Sequence, residues 1–135
     1  MEKIILLIDD DTDELEVFNE ALNKVPLFVS CTQVKSAADA MTWLKKNQPD
    51  FIFIDFNLPE VDGLQCLEKI KKIKKLANTR CVLYSNHIDE EKSNRAMALG
   101  AISCMKKPHM TGLLATRLKD ILSGAVTTRS NYNPR

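Results

Sequence analysis

The chain has no apolar run long enough to cross a membrane. Its longest aliphatic stretch is Ile4–Ile8, far short of the ~18 residues a span requires. That stretch cannot serve as the apolar core of a secretory leader either. Asp9, Asp10 and Asp11 follow it at once, where a leader needs a small-residue cleavage site. Net charge is also lacking: a formal +1 offers no global attraction to nucleic acid. There is no C-x-x-C pair, and Cys31, Cys66, Cys81 and Cys104 stand scattered with no histidine at zinc spacing. They read as small buried hydrophobes in a reducing compartment. Internal repeats and low-complexity segments are missing as well. What remains is 135 residues with 44% hydrophobic and 27% charged side chains, the composition of one folded domain that needs no disulfide or metal staple. A cytoplasmic protein without a membrane segment is expected.

Five short apolar runs alternate with amphipathic stretches. Ile4–Ile8 is aliphatic on both parities, as a strand buried on two faces requires. Leu15, Phe18, Leu22 and Val25 recur at helical spacing until Pro26, and Leu27–Val29 is a weaker strand candidate. Ala37, Ala40, Met41 and Leu44 trace a second helix, and Phe51–Ile54 a strongly buried strand. The turn-rich segment 57–63 leads into a helix beginning near Leu64. Cys81–Tyr84 reads as a strand, and Asp89 caps a helix whose thin apolar face (Ala96, Met97, Leu99) predicts the loosest packing of the set. Ala101–Met105 gives a fifth strand, and Leu114, Leu118, Ile121 and Leu122 a last helix closed by Gly124. Residues 1–123 form the expected domain, with 124–135 a disordered C-terminal tail.

Such alternation calls for one parallel sheet with helices on both faces, and ligands then bind beyond the carboxyl ends of the strands. At that edge stand Asp9 and Asp10 after the first run, Asp55 with Asn57 after the third, Ser85 after the fourth, and Lys106, Lys107 and Pro108 after the fifth. Two carboxylates about 4 Å apart repel by roughly 4 kcal/mol at an effective dielectric near 20. Three in one cleft therefore call for a cation, and an all-oxygen ligand set favours a hard divalent ion. Magnesium suits it best, because it accepts one or two carboxylates and a phosphate oxygen while keeping waters. One aspartate is then free to attack phosphorus, as in known aspartyl-phosphate intermediates, with lysine and metal neutralising the phosphoryl oxygens.

These residues resemble the response regulator receiver domains of two-component signalling, of the CheY-like, stand-alone kind. The resemblance covers residues 3 to 123. It rests on Ile-Asp-Asp at 8–10, Phe-Ile-Asp at 53–55, Leu-Pro-Glu-Val-Asp-Gly at 58–63, Leu-Tyr-Ser at 83–85, and Gly-Ala at 100–101 leading to Lys-Lys-Pro at 106–108. It implies a flavodoxin-like (βα)5 α/β fold with strand order 2-1-3-4-5. It also implies Asp55 as phosphoacceptor, and magnesium held by Asp9, Asp10, Asp55 and the backbone carbonyl of Asn57. Ser85 matches the switch hydroxyl and Lys107 the phosphoryl-pairing lysine. Lys107–Pro108 matches a peptide bond that is usually cis in the family. Asn57 and His87 match positions that tune loss of the phosphoryl group. The implied partners are a histidine kinase or phosphotransfer protein and a downstream protein target, with the chain a monomer or a phosphorylation-dependent dimer. The implied role is signalling, with no enzymatic activity beyond its own phosphorylation and dephosphorylation. With no output domain expected after Gly124, the signal leaves through protein contact or a phosphorelay. Two positions depart from the pattern: Cys104 stands where an aromatic reporter is usual, and His109 where phenylalanine is common. The resemblance does not extend to the aromatic read-out, and alternation along the strand turns Tyr84 away from Ser85.

Competing readings fall on the same residues. A calcium loop over Asp9–Glu14 would need glycine at its sixth position, where Glu14 stands. The D-x-D start also resembles the haloacid-dehalogenase phosphatases, which need a longer chain and a second acidic motif. Asp11 or Thr12 is the expected N-cap of the first helix. The lysines at 69, 71, 72, 74 and 75 lack aromatic interleaving and read as a solvated helix face rather than a nucleic-acid footprint. His87 and His109 read as loop histidines, and Trp43 as a packing or half-exposed residue. Against the phosphoacceptor stands an alternative, a pseudo-receiver acting as a protein-binding adaptor. Asp55, the Asp9–Asp10 pair and Lys107, whose loss marks such degenerate domains, are all present.

Overall fold

Strand and helix alternate along the whole of residues 2–124, which the computed structural model describes. The order is β1 (Lys3–Ile8), α1 (Glu14–Leu22), β2 (Val29–Val34), α2 (Ala37–Leu44), β3 (Phe51–Ile54), α3 (Gly63–Lys71), a 3-10 turn (Lys74–Leu76), β4 (Arg80–Ser85), α4 (Glu90–Ala98), β5 (Ser103–Lys106) and α5 (Thr111–Leu122). All strands are parallel, in the order β2-β1-β3-β4-β5. This is the flavodoxin-like α/β arrangement. The expected tail from Ala125 onward lies outside the described residues. Among the described residues no helix is long and apolar enough to cross a membrane.

Alternation along the strands divides the interior in two. Ile5, Leu7, Phe51, Phe53, Val82, Tyr84 and Met105 face α1 and α5, where they meet Phe18, Leu114 and Leu118. Leu6, Ile8, Ile52, Ile54 and Leu83 face α2, α3 and α4, where they meet Leu44, Leu67 and Ala96. Each such side chain, fully buried, contributes about 1.5–3 kcal/mol. Phe18, Phe53 and Tyr84 pack edge to face, with centroids 5.1 to 6.2 Å apart.

Two expectations need correction. β2 runs over Val29–Val34 rather than Leu27–Val29, with Lys3 opposite Val29. As an edge strand it is only half buried, so its polar Ser30, Thr32 and Gln33 hide it from a search for apolar runs. Leu27 and Phe28 fall before it and are 41% and 80% exposed. The first helix starts at Glu14. Asp11 Oδ1 accepts from Asp13 N–H at 2.9 Å, so Asp11 caps the turn before the helix.

The other caps follow the sequence. Asp62 and Gln65 form a reciprocal capping box at α3, and Asp89 accepts from Lys92 N–H at α4. Only Ser93 and Ala96 of α4 are fully buried, so this helix has the sparse face its sequence predicts.

Candidate functional site

Register brings the acidic residues together. Ile8 pairs with both Val34 and Ile54, so Asp9 and Asp55 leave neighbouring strands side by side, tied by Asp55 N–H to Ile8 O at 2.9 Å. Asp9, Asp10 and Asp55 each bring a carboxylate oxygen within 4.8 Å of the others'. Asp9 is fully buried and Asp55 nearly so, whereas Asp10 is exposed. Lys107 arrives from the end of β5, its N–H bonded to Ser85 O at 2.9 Å.

Lys107 Nζ donates to Asp9 Oδ2 at 2.7 Å and to Asp55 Oδ2 at 3.5 Å, and lies 3.8 Å from Glu14 Oε2. One ammonium thus faces three carboxylates, and Asp10 adds a fourth acid to the cluster. Burial works against the Lys107 charge, but the Asp9 hydrogen bond and the charges of Asp9, Asp55 and Glu14 outweigh it and hold its pKa above the usual lysine value. Burial pushes the Asp9 carboxyl from 3.8 up to about 6. The Lys107 bond, the Asp11 N–H and the Lys107 charge oppose that rise, and the Asp55 charge adds to it. The excess of carboxylate and the all-oxygen donor set fit a divalent metal ion.

The loops are built to hold these groups. Asp9 Oδ1 accepts from Asp11 N–H at 3.0 Å. Gln33 Nε2 donates to both Asp9 O and Asp11 O at 2.7 Å, clamping the β1–α1 loop from β2. Asn57 is exposed, and its N–H donates to Asp55 Oδ1 at 3.2 Å. The β3–α3 loop turns sharply at Glu60, whose φ is 67°, closed by Val61 N–H to Pro59 O at 2.7 Å. It returns so tightly that a Cβ on Gly63 would lie 2.4 Å from Asp55 O. Only glycine fits there.

Ser85 ends β4, fully buried, and its Oγ has no hydrogen-bond partner. A buried hydroxyl without a partner is costly, and an acceptor atom brought into the cleft would relieve it. Tyr84 does turn to the opposite face, where its hydroxyl donates to Glu14 Oε1 at 2.9 Å. Cys104 is buried toward α4, with Sγ 3.9 Å from Ser93 O. It lines a small apolar pocket with Phe56, Leu64, Leu83, Ile88 and Lys92, and Lys92 Nζ stands 4.2 Å from the Phe56 ring centroid. His87 and His109 are exposed loop residues. Lys107–Pro108 is trans, contrary to the cis bond expected: no cis peptide occurs among the described residues. An X–Pro bond favours trans by about 0.5–1 kcal/mol, and the Lys107 N–H bond to Ser85 O is made in that isomer.

Sequence reading missed Glu14 and Gln33. Glu14 reads as an ordinary acid in a first helical turn, and Gln33 as a polar residue of an edge strand. Only the three-dimensional packing shows the one buried against Tyr84 and the other clamped on the acidic loop.

Comparison with known proteins agrees with this geometry. The family profile described as response regulator receiver domain matches residues 5–119. A protein-glutamate methylesterase/protein-glutamine glutaminase of Burkholderia lata is 27% identical over 97% of this chain and 37% of its own length. The probable C4-dicarboxylate response regulator DctR of Bacillus subtilis is 28% identical over 77% of this chain and 45% of its own. The chain therefore spans less than half the length of these curated relatives. Among solved structures, the phosphorylated cyanobacterial phytochrome response regulator RcpA superposes with a TM-score of 0.79 at 26% identity, covering 94% of this chain and 99% of its own. The chain belongs to the response regulator receiver domain family.

Proposed function

We propose that this receiver domain is an active phosphoacceptor: Asp55 takes a phosphoryl group from a histidine kinase or phosphotransfer protein, and the phosphorylated domain signals through altered protein contacts. The observation that carries this reading is Lys107 Nζ set between Asp9 and Asp55, with the unpartnered Ser85 hydroxyl at the end of the next strand. An adaptor that never turned over would have no use for that arrangement.

Asp9, Asp10 and Asp55, with the backbone carbonyl of Asn57, would hold magnesium, which supplies a Lewis acid for the phosphoryl oxygens. An Asp55 carboxylate oxygen forms the new bond to phosphorus as the P–N bond of phosphohistidine breaks, its electron pair leaving on the imidazole nitrogen. Lys107 neutralises charge on the transferred group, and Ser85 donates its hydroxyl to one of the oxygens. The Asn57 N–H holds the acceptor carboxylate in place beforehand. The domain catalyses nothing beyond gain and loss of its own phosphoryl group. The esterase activity named for some relatives concerns proteins of which this chain spans 37% or less in the Burkholderia lata and Symbiobacterium thermophilum cases.

With Cys104 in the reporter position, the change reaches α4 through Ser85, the apolar pocket behind it and the Lys92–Phe56 contact next to the acceptor. A beryllofluoride titration with magnesium tests both parts of the reading. Saturable binding that needs the metal and Asp55, with altered hydrogen exchange in residues 86–110, is expected. Absence of binding would overturn the phosphoacceptor role, and binding with unchanged exchange would overturn the α4 route.

A further inference from the structure

The net charge conceals a strong polarity. The acids Asp9, Asp10, Asp11, Asp13, Asp55, Asp62 and Asp89 gather at the carboxyl edge of the sheet, whereas the opposite, amino edge is cationic. At that amino edge lies a cleft of about 400 Å³ whose lining includes Lys3, Gln48, Asp50, Phe51, Asn78 and Arg80. Lys3 opens β1 and Arg80 opens β4, on either side of Phe51 at the start of β3. Their charged groups lie 6.0 and 5.8 Å from the same Phe51 ring centroid.

Beyond these contacts with the Phe51 ring, neither cation of the cleft has an ion-pair partner among the described residues. Among the described residues every ion pair involves Lys107, and neither Lys3 nor Arg80 donates a side-chain hydrogen bond. The one acid in the lining, Asp50, accepts from Ile4 N–H through Oδ2 at 2.8 Å and keeps its negative charge, against which stand the two cations Lys3 and Arg80. Behind the wall, Lys71 Nζ reaches Thr79 O at 3.1 Å, and Gln48 Nε2 holds Lys75 O at 2.9 Å, so the cation-rich turn after α3 adjoins the cleft. Asn78 is exposed at the rim, and its side-chain amide has no hydrogen-bond partner among the described residues.

We infer that this cleft binds the phosphate chain of a small polyanion, with Arg80 and Lys3 pairing separate phosphate groups and Asn78 donating a third hydrogen bond. The planar guanidinium matches a phosphate bidentately and the lysine contributes a point charge. Two separated cations suit a di- or triphosphate better than a single phosphate, and the volume fits a ligand no larger than a nucleotide. This site lies at the far edge of the sheet from Asp55 and does not depend on its phosphorylation.

The test is calorimetric titration with inorganic tripolyphosphate at physiological ionic strength, without divalent ions so that the carboxyl-edge acids repel the probe. Amide chemical shifts are read in parallel. Saturable binding is expected, with shifts confined to residues 3, 48–51 and 78–80. Affinity should fall about tenfold or more in Arg80→Gln and in Asn78→Asp, the second an exposed change that keeps the test valid if the first perturbs folding. Lys74→Gln/Lys75→Gln should bind nearly as the wild type. Tighter binding of a nucleoside triphosphate than of tripolyphosphate would assign a nucleotide, and equal or weaker binding an inorganic chain. No saturable binding, or an equal loss in the Lys74/Lys75 variant, would reduce the effect to charge screening and overturn the proposal.

Discussion

The Tyr84 hydroxyl donates to Glu14 Oε1 at 2.9 Å across 70 residues of sequence, fixing a buried carboxylate whose other oxygen lies 3.8 Å from Lys107 Nζ. The pair ties the start of α1 to the middle of the sheet. Through Glu14 it helps hold the ammonium that faces Asp9 and Asp55. Tyr84→Phe leaves a buried carboxylate oxygen without its donor, and should cost about 1–3 kcal/mol in chemical denaturation. In a double-mutant cycle with Glu14→Leu, which removes the acceptor, the two losses should not add. Full additivity would mean the bond contributes nothing.

Burial, reinforced by the Glu14 charge and hydrogen bond, pushes the Tyr84 phenol far above its ordinary value of 10.0. Because the folded pKa is raised, the stabilising contribution is complete below about pH 10 and declines as pH rises beyond it, where the unfolded chain ionises. In a Tyr132→Phe background, ultraviolet titration of the folded protein should show no phenolate at pH 11. Ionisation near pH 10 without unfolding would contradict this.

Asp9 carries the same linkage at acid pH. Its folded pKa of about 6 exceeds the ordinary 3.8, so its contribution is complete below about pH 4 and lost as pH rises through 6. Metal-free protein should therefore lose stability mainly between about pH 4 and pH 6, and Asp9→Asn should remove that loss. Asp10→Asn, by relieving repulsion in the same cluster, should raise the metal-free Tm while weakening magnesium binding. An equal or lower Tm would count against the cluster's electrostatic strain.

Gly63→Ala should be among the most damaging small substitutions in the chain. The added methyl would lie 2.4 Å from Asp55 O and 2.8 Å from Phe56 Cα, so the β3–α3 loop must move, at about 1–3 kcal/mol. A matching loss of magnesium affinity is expected. Gln33→Leu, which removes two bonds to the β1–α1 loop, should weaken the metal site with a smaller effect on Tm.

The thiols should be inert in the folded state. Burial pushes Cys31 and Cys66 up to about 12, with the Cys81 charge adding at Cys66, and Cys81 up to about 11. Thiol reagents at pH 8 should modify Cys66 and Cys81 only at the rate of global opening. Rapid labelling of either would contradict the packing.

Most of this architecture was legible because buried strands are short apolar runs. Ile4–Ile8, Phe51–Ile54 and Cys81–Tyr84 announced themselves, and the residues after them had to share the carboxyl edge. The extent of β2 was not legible beyond the weak candidate Leu27–Val29, since an edge strand with half its side chains in water carries no apolar run. Ser85 and Lys107 could be placed by position in the chain, but the missing partner of Ser85 Oγ is a fact of packing. Glu14 and Gln33 act through contacts 70 and up to 24 residues away in sequence, which no local pattern encodes.

The most direct test of the phosphoacceptor reading is intact-protein mass after incubation with a small-molecule phosphodonor and magnesium, with Asp55→Asn and Lys107→Met alongside. The wild type should gain one phosphoryl group, the Asp55→Asn variant none, and the wild type none when metal is withheld. Lys107→Met should gain it more slowly, having lost the ammonium between Asp9 and Asp55. A wild type that gains no mass and does not bind beryllofluoride, or an Asp55→Asn variant modified as readily as the wild type, would contradict the assignment of Asp55 as acceptor.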